Sequence, residues 1–406
     1  MSAVLLVLLL AQVPDATDST PDAGVPPMEA GVSAADAGVP APFLANVNAK
    51  FGEGVTFQSG EVKLSLRGRI QTQFLSVFPT EGSTTPAQTA FFVRRARLQF
   101  KGEFPFHLSL NLQLAFAKLD MEPDEPNVLR DANVQWAPFR DLSFRLGQMK
   151  IPFDVQRVVS SSSLQFVDRS SATAELNLDR DVGLVVYSDD FLGLGDRLRY
   201  ALYVFGGDGR NRIGTNTGLL YGGRIRFSVF GRFDDRLEGD PDRGSTVRLA
   251  FGAAAARNFA TNRPRSTIGT PYTFATFDYS HATGDVHFKW RGVSLLSSIY
   301  WRQADVDSVS KEVNGVTTTE WARSGWGWFV QGGVYCTDWL ELAARYADTR
   351  PLGTTDPKFH RITELGGTVN LMFKKHDLKL QTDVFWLDEG GGKGRVQLRV
   401  QAQVYF

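Results

Sequence analysis

One cysteine, Cys336, stands alone in 406 residues, which excludes an internal disulfide and any cysteine metal cluster. Excess charge is missing too, since 44 basic residues balance 44 acidic ones. Residues 1–50 carry five carboxylates against Lys50 alone, so the rest of the chain holds a slight positive excess. That excess is too small to indicate a nucleic-acid partner. Long hydrophobic runs are absent: the apolar stretch Ala3–Leu10 is far short of the roughly twenty residues of a membrane helix. Any membrane residence therefore has to be as a barrel. The five histidines, His107, His281, His287, His360 and His376, fall in no nucleophile or metal-spaced motif, and Ser160–Ser163 lacks a nucleophile elbow. The stretch DRLEGDPDRGS is rich in acids but lacks the EF-hand order. An enzyme is not expected, and neither is a cofactor or a metal.

The short apolar run fits the h-region of a secretory signal, here taken as residues 1–12, although no Lys or Arg precedes it. Residues 13–50 are dominated by Pro, Ala, Gly and Asp, with DAGVP at both 22–26 and 36–40. Such a segment has too little apolar bulk to fold and reads as a disordered, Pro-stiffened linker. Residues 51–406 read as one β domain.

The stretch FHLSLNLQLAFAK, Phe106–Lys118, shows the pattern that recurs through that domain. Leu108, Leu110, Leu112, Leu114 and Phe116 share one parity, and His107, Ser109, Asn111, Gln113 and Ala115 the other. Side chains alternate faces along a strand, so this is a strand with one oily and one wet face. Two strands before it behave alike, over 62–74 and 92–104. Thirteen more windows follow, ending at 395–406, for about sixteen strands. The connections alternate between short ones, such as RG at 291–292, and long ones, such as 151–180. An outer-membrane β-barrel has this alternation, with short periplasmic turns and long extracellular loops. The exception is GRFDDRLEGDPDRGS, 231–245, which is long on the short side. It is either a large periplasmic turn or a slip in the strand count.

Aromatic residues gather at both strand ends, as interfacial girdles do. Phe104, Phe106, Trp136, Phe139, Phe230, Phe233 and Trp339 fall at the short turns, and Phe74, Phe78, Phe91, Trp301, Trp326 and Trp386 at the long loops. The fold expected is thus all-β, a transmembrane antiparallel β-barrel whose oily face meets outer-membrane lipids. Its expected location is the bacterial outer membrane.

In a barrel this wide the wet face lines a water-filled lumen. By parity the lumen receives Lys63, Arg67, Arg69, Arg95, Arg97, Lys101, Arg145, Arg224 and Arg226, with acids such as Glu103, Asp131, Asp181, Glu341 and Asp383 among them. Rings of Arg and Lys in a pore favour anions, and Arg is the better bidentate partner for an oxyanion. Alternatively, these charges form a salt-bridge lattice that stiffens the wall. Arg94 has lipid-facing parity and is expected to snorkel to the interface. The 151–180 connection mixes hydrophobes with Arg157 and Arg169, which points to a loop folded into the lumen as a constriction.

These residues carry a family resemblance. FFVRRARLQFKGEF, then RLGQMKIPFDVQRVVSSSSLQFVDRS and RDVGLVVY, resemble the phosphate-selective porin O and P family. GWFVQGGVYCTDWLELAARYAD and LGGTVNLMFKKHDLKLQTDVFWL look like its later strands, so the resemblance runs from about Gly60 to Phe406. It implies a homotrimer of sixteen-stranded barrels that passes phosphate or related anions, polyphosphate among them, through a basic constriction. It places Arg94, Arg95 and Arg97 in that family's RRAR segment and 151–180 in its long third loop. Phosphate-specific members set lysines near the narrowest point, whereas 151–180 contains none and Lys150 only borders it. The coiled-coil front end of some members is replaced by the DAGVP linker. The last strand, ending at Phe406, resembles the signal read by the barrel-assembly machinery. Other readings are a general-diffusion or other-solute porin without phosphate specificity, or a structural barrel with little conductance.

Overall fold

The computed structural model describes residues 46–80, 83, 86–122, 126–212, 218–234, 236–390 and 394–406. The expected signal segment and the linker up to residue 45 lie outside the described residues. A short hairpin, β1 (Asn46–Lys50) and β2 (Gly54–Ser59), comes first. The barrel wall then runs through β3 (Val62–Pro79), β4 (Gln88–Phe104), β5 (Leu108–Ala115), β6 (Leu129–Trp136), β7 (Ser143–Lys150) and β8 (Arg180–Ser188). It continues with β9 (Leu198–Phe205), β10 (Leu220–Ser228), β11 (Arg248–Thr261), β12 (Phe277–Trp290) and β13 (Val293–Ala304). A small hairpin, β14 (Ser308–Val313) with β15 (Val316–Trp321), interrupts the wall. The wall is completed by β16 (Gly325–Tyr335), β17 (Leu340–Pro351), β18 (Ile362–His376), β19 (Leu378–Asp388) and β20 (Gly394–Tyr405).

Each wall strand pairs antiparallel with the next, and β20 pairs with β3 in the register Val404↔Ile70, so sixteen strands close into a barrel. Closure removes both sheet edges. At the seam Phe406 exchanges backbone hydrogen bonds with Gly68, and its ring occupies the space where a side chain at 68 would stand. Glycine is required there for that close approach. All sixteen alternating windows of the sequence become wall strands. The two hairpins were not foreseen: Asn46–Lys50 falls in the stretch read as linker, and β14–β15 within a long loop. β2 pairs with the first residues of β3, below the point where β20 ends.

Burial is inverted relative to a soluble core. Leu146, Leu202, Ile225 and Leu365 stand more than half exposed on the outer face, while His281, His287, Lys289 and Asp383 are buried inside. The oil of Phe106–Lys118 thus faces outward. The aromatic girdles form at both rims, with one correction. Phe233 is buried inside, its ring 4.8 Å from the His287 ring and under the Arg226 guanidinium. The reason is that 229–247 is a true long turn at the short-turn end, folded back into the lumen. Lys289 Nζ donates to the Asp234 and Leu237 carbonyls there, and β10 and β11 on either side of the turn pair in unbroken register.

The inversion gives a stability test. Leu202→Arg on the lipid face should cost about 2–4 kcal/mol near the bilayer midplane. Gln99→Arg on the lumen face should cost less than about 1 kcal/mol. Urea unfolding in liposomes, followed by tryptophan fluorescence, measures both.

Candidate functional site

The segment between β7 and β8 crosses the barrel interior. Its neck is closed by the Ile151 N–H donating to the Asp179 carbonyl at 2.8 Å. Two helical turns shape it, α1 (Val155–Val158) and α2 (Ser171–Leu176), whose N-termini are capped by the Asp154 and Ser170 side chains. The backbone between them finds partners on the far wall. Asp383 accepts from the Val167 N–H, Glu364 from Ser171 N–H, and Glu238 of the inward turn from Gln165 N–H, at 2.8–3.0 Å. The carbonyls of Leu164 and Gln165 accept from Lys379, Gln381 and Asn370. Near the tip, Ser161 Oγ accepts from both Arg69 (3.1 Å) and Arg97 (3.2 Å).

One side of this loop is apolar and packed. Ile151, Phe153, Val155 and Leu176 are buried against Tyr203, Phe205, Tyr300 and Phe329 of the wall. Phe166 packs on Phe385, 5.4 Å between centroids, beneath the Arg345 guanidinium. The other side faces β3–β7 and stays open. Two cavities lie there, one of about 400 Å³ toward the long loops and one of about 610 Å³ toward the short turns. Nine arginines and three carboxylates line the first, and nine cationic side chains and three carboxylates the second, among the described residues. The cavities share three lining residues: Arg97, Arg130 and Arg169.

These three arginines are held differently. Arg97 and Arg130 both pair with Asp120, Arg97 Nη2 at 2.6 Å and Arg130 Nη1 at 2.9 Å. Arg169 has no carboxylate partner among the described residues; the carbonyls of Gln156 and Val159 accept its N–H groups at 2.8 and 2.7 Å.

The residues singled out in the sequence divide into three groups. Arg95 and Arg157 line the long-loop cavity, Arg67 and Lys101 the short-turn cavity, and Arg97 and Arg169 both. Arg69 is buried beside them, its guanidinium on Ser161, and Lys63 sits at the short-turn rim within 3.9 Å of Glu103. Arg145, Arg224 and Arg226 are not brought to these cavities. They line a third, of about 260 Å³, behind the loop, and Arg224 and Arg226 are tied to Asp285 at 2.5 and 2.6 Å. Many lumen charges are indeed paired: Arg180 with Asp131, Arg399 with Asp383, and Arg302 with Glu175.

Arg94 and Arg130 escaped the alternation for a common physical reason. Pairing passes from Gln71↔Arg95 to Thr72↔Val93, so Arg94 is an extra, bulged residue. Likewise Gln113↔Asp131 is followed by Leu114↔Leu129, which leaves Arg130 as the extra residue of β6. A β-bulge lets two successive side chains reach the same face. Arg94 therefore points inward, not to the lipid interface, and meets Asp168 at 3.3 Å beside Arg95 at 2.8 Å. Above that bulge the phase inverts, so Phe91 and Val93 face outward and Phe92 stands opposite Gln73.

Asp168, in the loop, sits among three guanidinia. Burial pushes its carboxyl up, but Arg94, Arg95 and Arg399 outweigh burial and hold it well below the usual carboxylate range. A depressed folded pKa gives stability that is present above the unfolded value, near 4, and lost progressively as pH falls from there through the folded value. The thermal midpoint should therefore stay flat from about pH 8 to about pH 5 and drop below about pH 4. Asp168→Asn should lower the midpoint at neutral pH and shrink that drop. Differential scanning calorimetry across this range measures both effects.

Residues 64–231 match the family model described as phosphate-selective porin O and P. The later stretches that resemble that family lie outside the match. No curated protein matches the chain in sequence. Solved structures share its fold at low identity. Salmonella typhi OmpF, in complex with daunomycin, is 16% identical with a TM-score of 0.55, over 84% of this chain and 98% of that one. An anion-selective porin from Comamonas acidovorans is 13% identical with a TM-score of 0.52, over 85% and 100%. In-vitro folded OmpT of Vibrio cholerae, in its trimer form, is 12% identical with a TM-score of 0.51, over 85% and 99%. The closed barrel with its inward loop is thus the fold of these outer-membrane porins, and residues 64–231 match the model of the phosphate-selective porin O and P family.

Proposed function

We propose that the barrel passes small anions by passive diffusion, phosphate among them, with no covalent step and no cofactor. The carrying observation is that the two basic cavities share Arg97, Arg130 and Arg169. An anion enters the long-loop cavity past Arg94, Arg95 and Arg157, crosses those three guanidinia, and leaves past Arg67 and Lys101. Positive groups on both sides of a narrow point lower the barrier for an anion and raise it for a cation. Arg69 and Lys63 add to the field along the same wall. In this reading Arg145, Arg224 and Arg226 stand off the path.

One observation favours a general anion pore over one that retains phosphate. Asp120 already occupies two of the three shared guanidinia, and among the described residues no lysine lines both cavities, Lys101 and Lys150 lining the short-turn one alone. A solute is then drawn in by the field but meets a resident carboxylate where a tight site would be. Trimeric assembly, as in the Vibrio cholerae structure, and recognition of the β20 strand by the assembly machinery belong to the same proposal.

The test is the reversal potential of the purified protein in a planar bilayer under a KCl gradient, followed by phosphate titration. Anion selectivity is expected, and cation selectivity would overturn the reading. A unit charge about 4 Å from an ion in water is worth about 1 kcal/mol. Arg169→Gln leaves no carboxylate orphaned and should lower the anion-to-cation permeability ratio by roughly fivefold or more. Block by low phosphate would support a phosphate site, and conduction without block would leave a general anion porin.

A further inference from the structure

The third cavity, behind the loop, has a character of its own. It lies between α1 and the short-turn ends of β7–β10, so it opens on the side opposite the long loops. Its volume, about 260 Å³, is at the lower edge of small-molecule pockets. Pro152, Val155 and Val158 of the loop face Val185 and Ala201 of the wall across it. Val158 is 45% exposed although it sits inside the barrel, so apolar surface is left uncovered in the lumen. Facing that surface is Arg145. Its Nε and Nη2 share one neutral acceptor, Gln135 Oε1, at 3.3 and 2.9 Å, and its guanidinium lies 5.0 Å from the Tyr187 ring centre. No carboxylate pairs with Arg145 among the described residues. Asp189, the acid that lines the chamber, is exposed.

We propose that this chamber is a second binding site, for a small organic acid that carries one carboxylate on a compact apolar body. The chemistry selects that class on two counts. A guanidinium whose partners, Gln135 and Tyr187, are both neutral can take a carboxylate in the bidentate geometry Arg prefers. The valine-lined wall gains from covering an apolar group, and an inorganic oxyanion offers none. Arg224 and Arg226, fixed on Asp285, add positive field without being the partner. Phosphate, small and fully hydrated, keeps to the open side of the loop. Val158 lines both this chamber and the short-turn cavity, so the phosphate competition below is what tells the two sites apart.

Titration calorimetry on the full chain in detergent, with benzoate, acetate and inorganic phosphate as probes, tests this. Benzoate should bind roughly tenfold or more tightly than acetate, the margin expected for covering one ring's apolar surface. Excess phosphate should not displace it, and Arg145→Gln should weaken it roughly tenfold. Heat-modifiable migration on a gel checks that the variant barrel is folded. If Arg145→Gln does not fold, Val158→Asp on the exposed turn of α1 replaces it and should also weaken benzoate. Equal affinity for benzoate and acetate would overturn the proposal, as would displacement by phosphate or no benzoate binding. Loss of the chamber alongside an intact anion reversal potential would leave the pore reading standing.

Discussion

A segment as long as 151–179 can cross a water-filled barrel only if its backbone groups find partners on the far side. Here those partners are carboxylates and amides of the wall and of the inward turn. Asp383, Glu364 and Glu238 each accept a loop N–H, and Asn370, Gln381 and Lys379 donate to loop carbonyls. The lumen acids on that side are thereby committed to the loop. Glu175, held by Arg302 and Arg323, sits on the same packed side. What remains for open water is the β3–β7 wall, where cations outnumber acids. The asymmetry of the pore follows from where the loop is anchored more than from the total charge, which is zero.

The turn 229–247 completes that anchoring from the opposite end. Glu238 reaches Gln165 N and Gln331 Nε2, Asp240 accepts from the Gly292 N–H, and the Glu238 carbonyl meets His287 Nε2. A loop from one rim and a turn from the other thus meet inside the barrel and share donors. Removing a single contact leaves several others, so the loop's position is over-determined. An element fixed by several partners is held against thermal motion.

Most of the wall was legible in the sequence because a strand's period of two is unforgiving: one face meets lipid and the other water along every strand. Loop lengths supplied the orientation, and strand number followed. Three things were hidden. A β-bulge costs one residue of register and leaves no composition signal, so Arg94 was read as lipid-facing and Arg130 was passed over. A residue out of phase and charged, as Arg94 is on an oily face, is the one available hint of a bulge. The fate of 231–245 also depended on tertiary contacts, since its length alone allowed two readings, and Phe233 followed it inward. Pairing was hidden as well. Arg97 and Arg169 look alike in sequence, yet one meets Asp120 and the other only carbonyls, and Asp120 comes from a connection with no alternation to read.

The two bulges have a consequence for the pore itself. Each turns a position that would be spent on lipid into a lumen cation, one on β4 and one on β6. Both flank β5, whose own inward residues near that level, Gln113 and Ala115, are uncharged. Without the bulges the long-loop cavity would lose Arg94, and Arg130 would be lost from both cavities. Asp120 would then pair with Arg97 alone, and the shared level would be close to neutral apart from Arg169. Positive charge at the level the two cavities share is therefore a matter of backbone geometry as much as of residue type. An ordinary strand cannot place neighbours in sequence, such as Arg94 and Arg95, on one acid, whereas a bulged strand can.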